Sequence, residues 1–183
     1  MERNSALELV KNHTKKRHVF YHMLEVEAIM KALARRFRED EDSWGITGLI
    51  HDIDFEETEH TPQDHGKIAE KILKDLVSGD VMDAVKAHNF DYTMVLPESR
   101  LAKSLVASDA IAGLLVACAL VMPLKKLFEV KIETVAKKFK DKDFARGVDR
   151  NRILYCEKIG LDKNEFISIA LEGLKKIDSE IGL

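Results

Sequence analysis

Arg17–Phe37 reads RHVFYHMLEVEAIMKALARRF, and its apolar residues Val19, Phe20, Met23, Val26, Ile29, Met30 and Leu33 recur at three- and four-residue steps. Steps of that size gather side chains on one side of a helix, whereas a strand would alternate them. The spacing continues outward. Upstream it predicts a short helix over 5–13. Downstream, the acidic run 39–42 supplies a cap and favourable negative charge for a helix over 43–51. Residues 53–61, IDFEETEHT, lack a helical period and read as a loop ending at Pro62, a favourable first helical position. Helices are expected over 62–76 and 81–89, then an irregular stretch FDYTMVLP, then a nearly all-apolar central helix over 98–122 that Pro123 breaks. Residues 124–183 alternate basic stretches with helical apolar spacing, Gly160 reading as a stop and Asp162 as the next cap. The expected class is all-α.

The chain has 183 residues, only 3 prolines and 9 glycines, and no repeat or low-complexity linker. That length suits one core. The expectation is a single domain over 1–183, with a core over 17–122 and a C-terminal helical extension over 123–183 packed on it, which offers a surface for a homodimer. Lys+Arg 29 against Asp+Glu 32 leaves a net charge of -3. A large nucleic-acid partner normally requires a basic excess, so the balance speaks against one while leaving a nucleotide-sized ligand open. Cys118 and Cys156 form no CxxC pair and read as free core thiols of a reducing compartment. The N-terminus lacks the apolar run of a signal peptide, and the apolar run 110–122 is shorter than the roughly twenty residues a membrane span needs. A cytoplasmic chain with no membrane partner is therefore expected.

All 7 histidines, His13, His18, His22, His51, His60, His65 and His88, fall in the first half. They interleave with Asp52, Asp54, Asp64 and Asp109, and imidazole with carboxylate suits Mn, Fe, Co or Zn. His13, His18 and His60 read as solvent-exposed helix ends. The adjacent pair His51-Asp52 follows Gly48-Leu49-Ile50 and can aim both side chains into one pocket only if the helix ends there and the backbone turns.

Around that pair lies a wider pattern: Tyr21-His22-Met23-Leu24-Glu25-Val26-Glu27 before it, Gly48-Leu49-Ile50-His51-Asp52-Ile53-Asp54 containing it, and Ala107-Ser108-Asp109-Ala110 after it. In order and spacing these resemble the motifs of the HD superfamily of metal-dependent phosphohydrolases. Asp64-His65-Gly66-Lys67 and Val85-Lys86-Ala87-His88-Asn89 are similar to the helix start and helix end that add two histidines in its binuclear branch. The resemblance implies an HD-type helical bundle with additional C-terminal helices. It also implies a divalent ion (Mn, Fe, Co, Zn or Ni), either two or one, on His22, His51, Asp52, His65, His88 and Asp109. Asp52 would bridge the ions and hold the attacking water, His22, His51 and Asp109 would complete one site, and His65 with His88 the other.

Helix packing is the lesser alternative for His65 and His88, and in a mononuclear nucleotidase the two would be substrate contacts or acid/base groups. The family often continues Ile-Gly-Lys after the His-Asp pair; here Asp54 and Phe55 stand in the last two places, and the Gly-Tyr-Pro loop of the cyclic-dinucleotide phosphodiesterases is missing. A small nucleotide-like or phosphomonoester substrate is therefore preferred. Asp54 reads either as an orienter of a ligand or as an exposed loop aspartate. Lys86 and Asn89, and less so Arg100 and Lys103, are candidates for phosphate oxygens. Ala112 and Gly113 fit a close helix contact that lets Asp109 reach the metal, and Leu114, Leu115, Ala117, Cys118 and Val121 read as core. The rival reading is a non-catalytic nucleotide-sensing or regulatory module.

Overall fold

A computed structural model describes residues Met1–Leu183. It has no strands. The helices are α1 (Arg3–His13), α2 (Arg17–Phe37), α3 (Glu41–Ile50), α4 (Phe55–Thr58), α5 (Lys67–Leu73), α6 (Gly79–His88), α7 (Phe90–Thr93), α8 (Arg100–Leu120), α9 (Ile132–Lys140), α10 (Arg150–Ile153) and α11 (Lys163–Lys175), with 3-10 turns at Leu127–Glu129 and Leu154–Ile159.

The core follows from the apolar spacing. Val19, Met23, Val26, Ile29, Met30 and Leu33 of α2 are all buried, facing α3, α8 and α11. Helix α8 runs through the middle, against α2, α6, α9, α10 and α11. It is longer than the apolar run 110–122 suggests and meets the length and composition of a membrane span, yet 67% of its most apolar window is buried inside the bundle. That burial marks it as the central core helix. One contiguous apolar cluster of 45 buried residues extends from Ala6 to Leu183, so the segment after Pro123 shares the core that precedes it.

Asp40 caps α3 by accepting from Ser43 N, and Asp162 caps α11 by accepting from Asn164 N and Glu165 N. Each satisfies backbone donors that the first turn would otherwise leave unpaired. The buried Glu27 carboxylate takes Arg3 and Lys31, which fastens α1 to α2.

The structure corrects several expectations. The stretch read as a loop over 53–61 contains the one-turn α4, and FDYTMVLP contains the one-turn α7. The helix expected from Pro62 starts only at Lys67. Residues 62–66 turn instead, because Gly66 takes φ 87 and a Cβ there would stand 2.9 Å from Thr93 Cγ2; only glycine meets both conditions. Val121 is 55% exposed rather than core, since α8 ends at Leu120 and the chain turns outward.

Candidate metal centre

Two helices lie almost backbone to backbone at the root of the site. A Cβ on Gly48 would stand 2.8 Å from the carbonyl carbon and oxygen of Val26. This contact lets α3 sit close enough to α2 for His51 and Asp52, just past its end, to meet His22. The close contact expected at Ala112 and Gly113 is elsewhere: a Cβ on Gly113 would face Val148 Cγ2 at 3.2 Å, so that position accommodates the C-terminal segment.

Six side chains converge. His22 Nε2 lies 3.0 Å from Asp109 Oδ1 and 4.0 Å from Asp52 Oδ2. His51 Nε2 lies 3.5 Å from Asp52 Oδ1 and 3.8 Å from Asp109 Oδ1. On the other side, His65 Nε2 and His88 Nε2 each lie 3.3 Å from Asp52 Oδ1 and 2.8 Å from one another. Two triplets have potential ligand atoms within 4.8 Å of one another, His22 with His51 and Asp52, and Asp52 with His65 and His88. Asp52 belongs to both.

The ring orientations are fixed from behind. His51 Nδ1 donates to Gly48 O at 2.7 Å, and His88 Nδ1 donates to Val85 O. A carbonyl can only accept, so both rings carry a proton on Nδ1, and in their neutral, metal-binding form they turn an Nε2 lone pair toward Asp52. His51 Nε2 is buried and has no hydrogen-bond partner. An acceptor left unpaired in a buried site is costly, and a cation is the partner that the surrounding carboxylates favour. The donor set thus fits a divalent ion.

Electrostatics agree. Burial would push Asp52 up, but the charge of His51 and bonds from His65 and His88 hold it well below the ordinary carboxylate range. Asp109 is likewise depressed, burial being outweighed by the bond from His22 and the nearby imidazole of His51. Both acids are therefore anionic where the imidazoles meet. Burial opposes protonation of His22, but Asp109 and Glu25 raise it well above the ordinary imidazole range, and Asp52 with Asp54 raises His65 to about 10. His88 is lowered, by burial first and by the charges of His65 and His51 against the pull of Asp52.

Asp54 is not an exposed loop residue. It is 1% exposed and accepts from His65 Nδ1, Gly66 N and Ala69 N. In this structure Lys86 and Asn89 have other partners: the Lys86 ammonium pairs with Glu70 on the surface, and the Asn89 amide donates to Pro62 O and His65 O, clamping the turn that carries His65. Arg100 pairs with Glu39 and stacks on Phe37, while Lys103, half-buried on the first turn of α8, forms no ion pair that joins it to the cluster. His13, His18 and His60 are exposed and outside the cluster, as expected.

Two contributors escaped the sequence reading. The buried Glu25 carboxylate lies 3.6 Å from His22 Nδ1, a relation that their i,i+3 spacing on α2 could have signalled. Arg152 of α10 donates to His88 O and Asp91 and stacks on Phe90. Nothing local in the sequence marks it, because its partners lie far away in the chain.

A helical bundle that gathers four imidazoles, His51 and His88 buried and His22 and His65 partly so, around two ionised carboxylates, one shared by both halves, defines an α-helical domain with a site that could hold a metal ion. The HD domain family model matches residues 19–114. The chain belongs to the HD domain family, whose members are generally metal-dependent hydrolases. No match was found among curated proteins or among solved structures.

Proposed function

We propose that the chain is a phosphohydrolase acting on a small phosphorylated substrate, nucleotide-like or a phosphomonoester. His22, His51, Asp52 and Asp109 hold one divalent ion, and Asp52, His65 and His88 hold a second. The observation that carries this reading is the membership of Asp52 in both triplets, with Oδ2 toward His22 and Oδ1 toward His51, His65 and His88. Bound divalent ions would polarise a phosphoryl oxygen and make water nucleophilic near neutral pH.

The protein's own residues do the rest. The Nδ1 bonds of His51 and His88 keep their Nε2 lone pairs directed inward without reorganisation. Asp52, kept ionised among the imidazoles, would hold and orient the attacking water. Phe55, edge-on to His65 with ring centroids 5.9 Å apart, lays an apolar wall against that imidazole.

The experiment is metal per chain after chelator-free purification and after reloading with Mn, Fe or Co, together with turnover of phosphomonoesters and phosphodiesters, for the wild type, His65→Ala and Asp52→Ala. Expected are two ions in the wild type and one in His65→Ala, with turnover abolished in Asp52→Ala. One ion in both wild type and His65→Ala favours a mononuclear nucleotidase. Full loading without turnover of any ester favours a regulatory module.

A further inference from the structure

The C-terminal segment builds a second polar concavity that the metal cluster does not use. It measures about 540 Å³, within the range of small-ligand pockets, and ten residues between Phe139 and Lys163 line it. Five of these are basic (Lys140, Lys142, Arg146, Arg150 and Lys163) and one, Asp149, is acidic. In a protein of net charge -3, such a local excess is opposite in sign to the whole.

Two of the neighbouring carboxylates are already engaged, while a third, Asp143 beside Lys142, is exposed and in no ion pair. Asp149 caps α10 through Asn151 N and lies 4.0 Å from Arg152, while Asp141 takes Lys138 at 3.3 Å. Lys140, Lys142, Arg146 and Lys163 are left without a carboxylate partner, and Lys163 instead places its ammonium 4.6 Å from the centre of the Phe139 ring. Nor is the wall a loose loop. The Arg150 guanidinium donates to the carbonyls of Asp141, Phe144, Ala145 and Val148, tying down the turn that carries Lys142 and Arg146. Arg150 Nε stays buried without a partner. Cations gathered around one concavity repel one another, and an anion of several charges relieves that repulsion.

We propose that this pocket binds a small polyphosphate, its oxygens meeting Lys140, Lys142, Arg146 and Lys163, with Phe139 and Leu154 as an apolar flank. The site is separate from the metal centre, because none of its lining residues belongs to the histidine cluster. Its concave form and confined charge suit a compact anion better than a polymer, which calls for a longer basic stripe.

The test is isothermal titration of chelator-treated protein with inorganic tripolyphosphate. It uses the wild type, the double variant Lys142→Glu/Arg146→Glu, whose sites are exposed, and His22→Ala as a metal-centre control. Expected is one anion per chain, unchanged in His22→Ala and weakened about tenfold or more in the double variant. Three results would overturn the proposal: no binding by the wild type, equal binding by the double variant, or loss in His22→Ala. A short single-stranded oligonucleotide that binds where tripolyphosphate does not would also overturn it, in favour of a nucleic-acid surface.

Discussion

Asp54 Oδ1 accepts from His65 Nδ1 at 2.8 Å while Asp54 Oδ2 accepts from Gly66 N and Ala69 N, each also at 2.8 Å. One buried carboxylate thus caps the start of α5 and fixes the tautomer of His65. Its acidity is raised accordingly, burial being outweighed by His65 and the two backbone donors. Asp54→Asn keeps the shape but turns an amide N–H toward donors. With the two-ion site proposed above, affinity for an ion on His65 and His88 should fall roughly 10- to 100-fold, while an ion on His22, His51 and Asp109 is retained. Chelator competition followed by elemental analysis reads this directly, and equal losses at both sites would count against a specific positioning role.

Gly48→Ala should be among the most damaging small substitutions. The new methyl meets backbone of α2 at 2.8 Å, and backbone cannot swing aside as a side chain can. Forcing the helices apart costs roughly 2–3 kcal/mol and separates His22 from His51. A lowered midpoint in chemical denaturation, together with weaker metal uptake by whatever remains folded, is the expected pair of results. An unchanged midpoint would mean that α3 can shift freely against α2.

Much of this was legible in the sequence because the signals are local. Apolar spacing places α2 at Arg17–Phe37 and most of α8, and the His-Asp pair with its flanking motifs identifies the side chains that meet. What was not legible depends on contacts between distant segments. The short helices α4 and α7 have too few residues to show a period. Lys86 looked free until Glu70 of α5 came beside it, and Asn89 until the Pro62–His65 turn folded over it. The exposure of Val121 turns on where α8 ends, which helical spacing marks poorly.

Arg152 joins the C-terminal segment to the metal centre through His88 O and Asp91. Arg152→Met keeps much of the packing on Phe90 but removes a charged donor from a part-buried carbonyl, a loss of about 1–3 kcal/mol. The variant should melt earlier and, with the two-ion site proposed above, bind an ion at His88 less tightly. Arg152→Lys should recover only part, since one ammonium cannot reproduce the planar fork that serves both acceptors. Thermal denaturation with and without added Mn separates the two effects, and a full rescue by lysine would reduce the residue to a simple charge.

Cys118 on α8 and Cys156 in the adjoining 3-10 turn are both buried, and burial raises each thiol to about 11; Lys138 and Arg150 oppose the shift at Cys118, while Glu157 adds to it at Cys156. At pH 8 only about one thiol in a thousand is then ionised, and the thiolate is the reactive form. Native protein should therefore react slowly with an aromatic disulfide reagent at pH 8, whereas guanidinium-unfolded chain should release both equivalents at once. The sign of the stability effect follows from the raised folded values. Below roughly pH 8.5 both states keep their protons; as pH climbs toward 11 the unfolded chain loses protons that the folded one retains, so stability falls across that window. Rapid native labelling would show that the bundle opens at α8 and the 3-10 turn, and a midpoint that rises between pH 9 and 11 would show that the folded thiols are not held protonated.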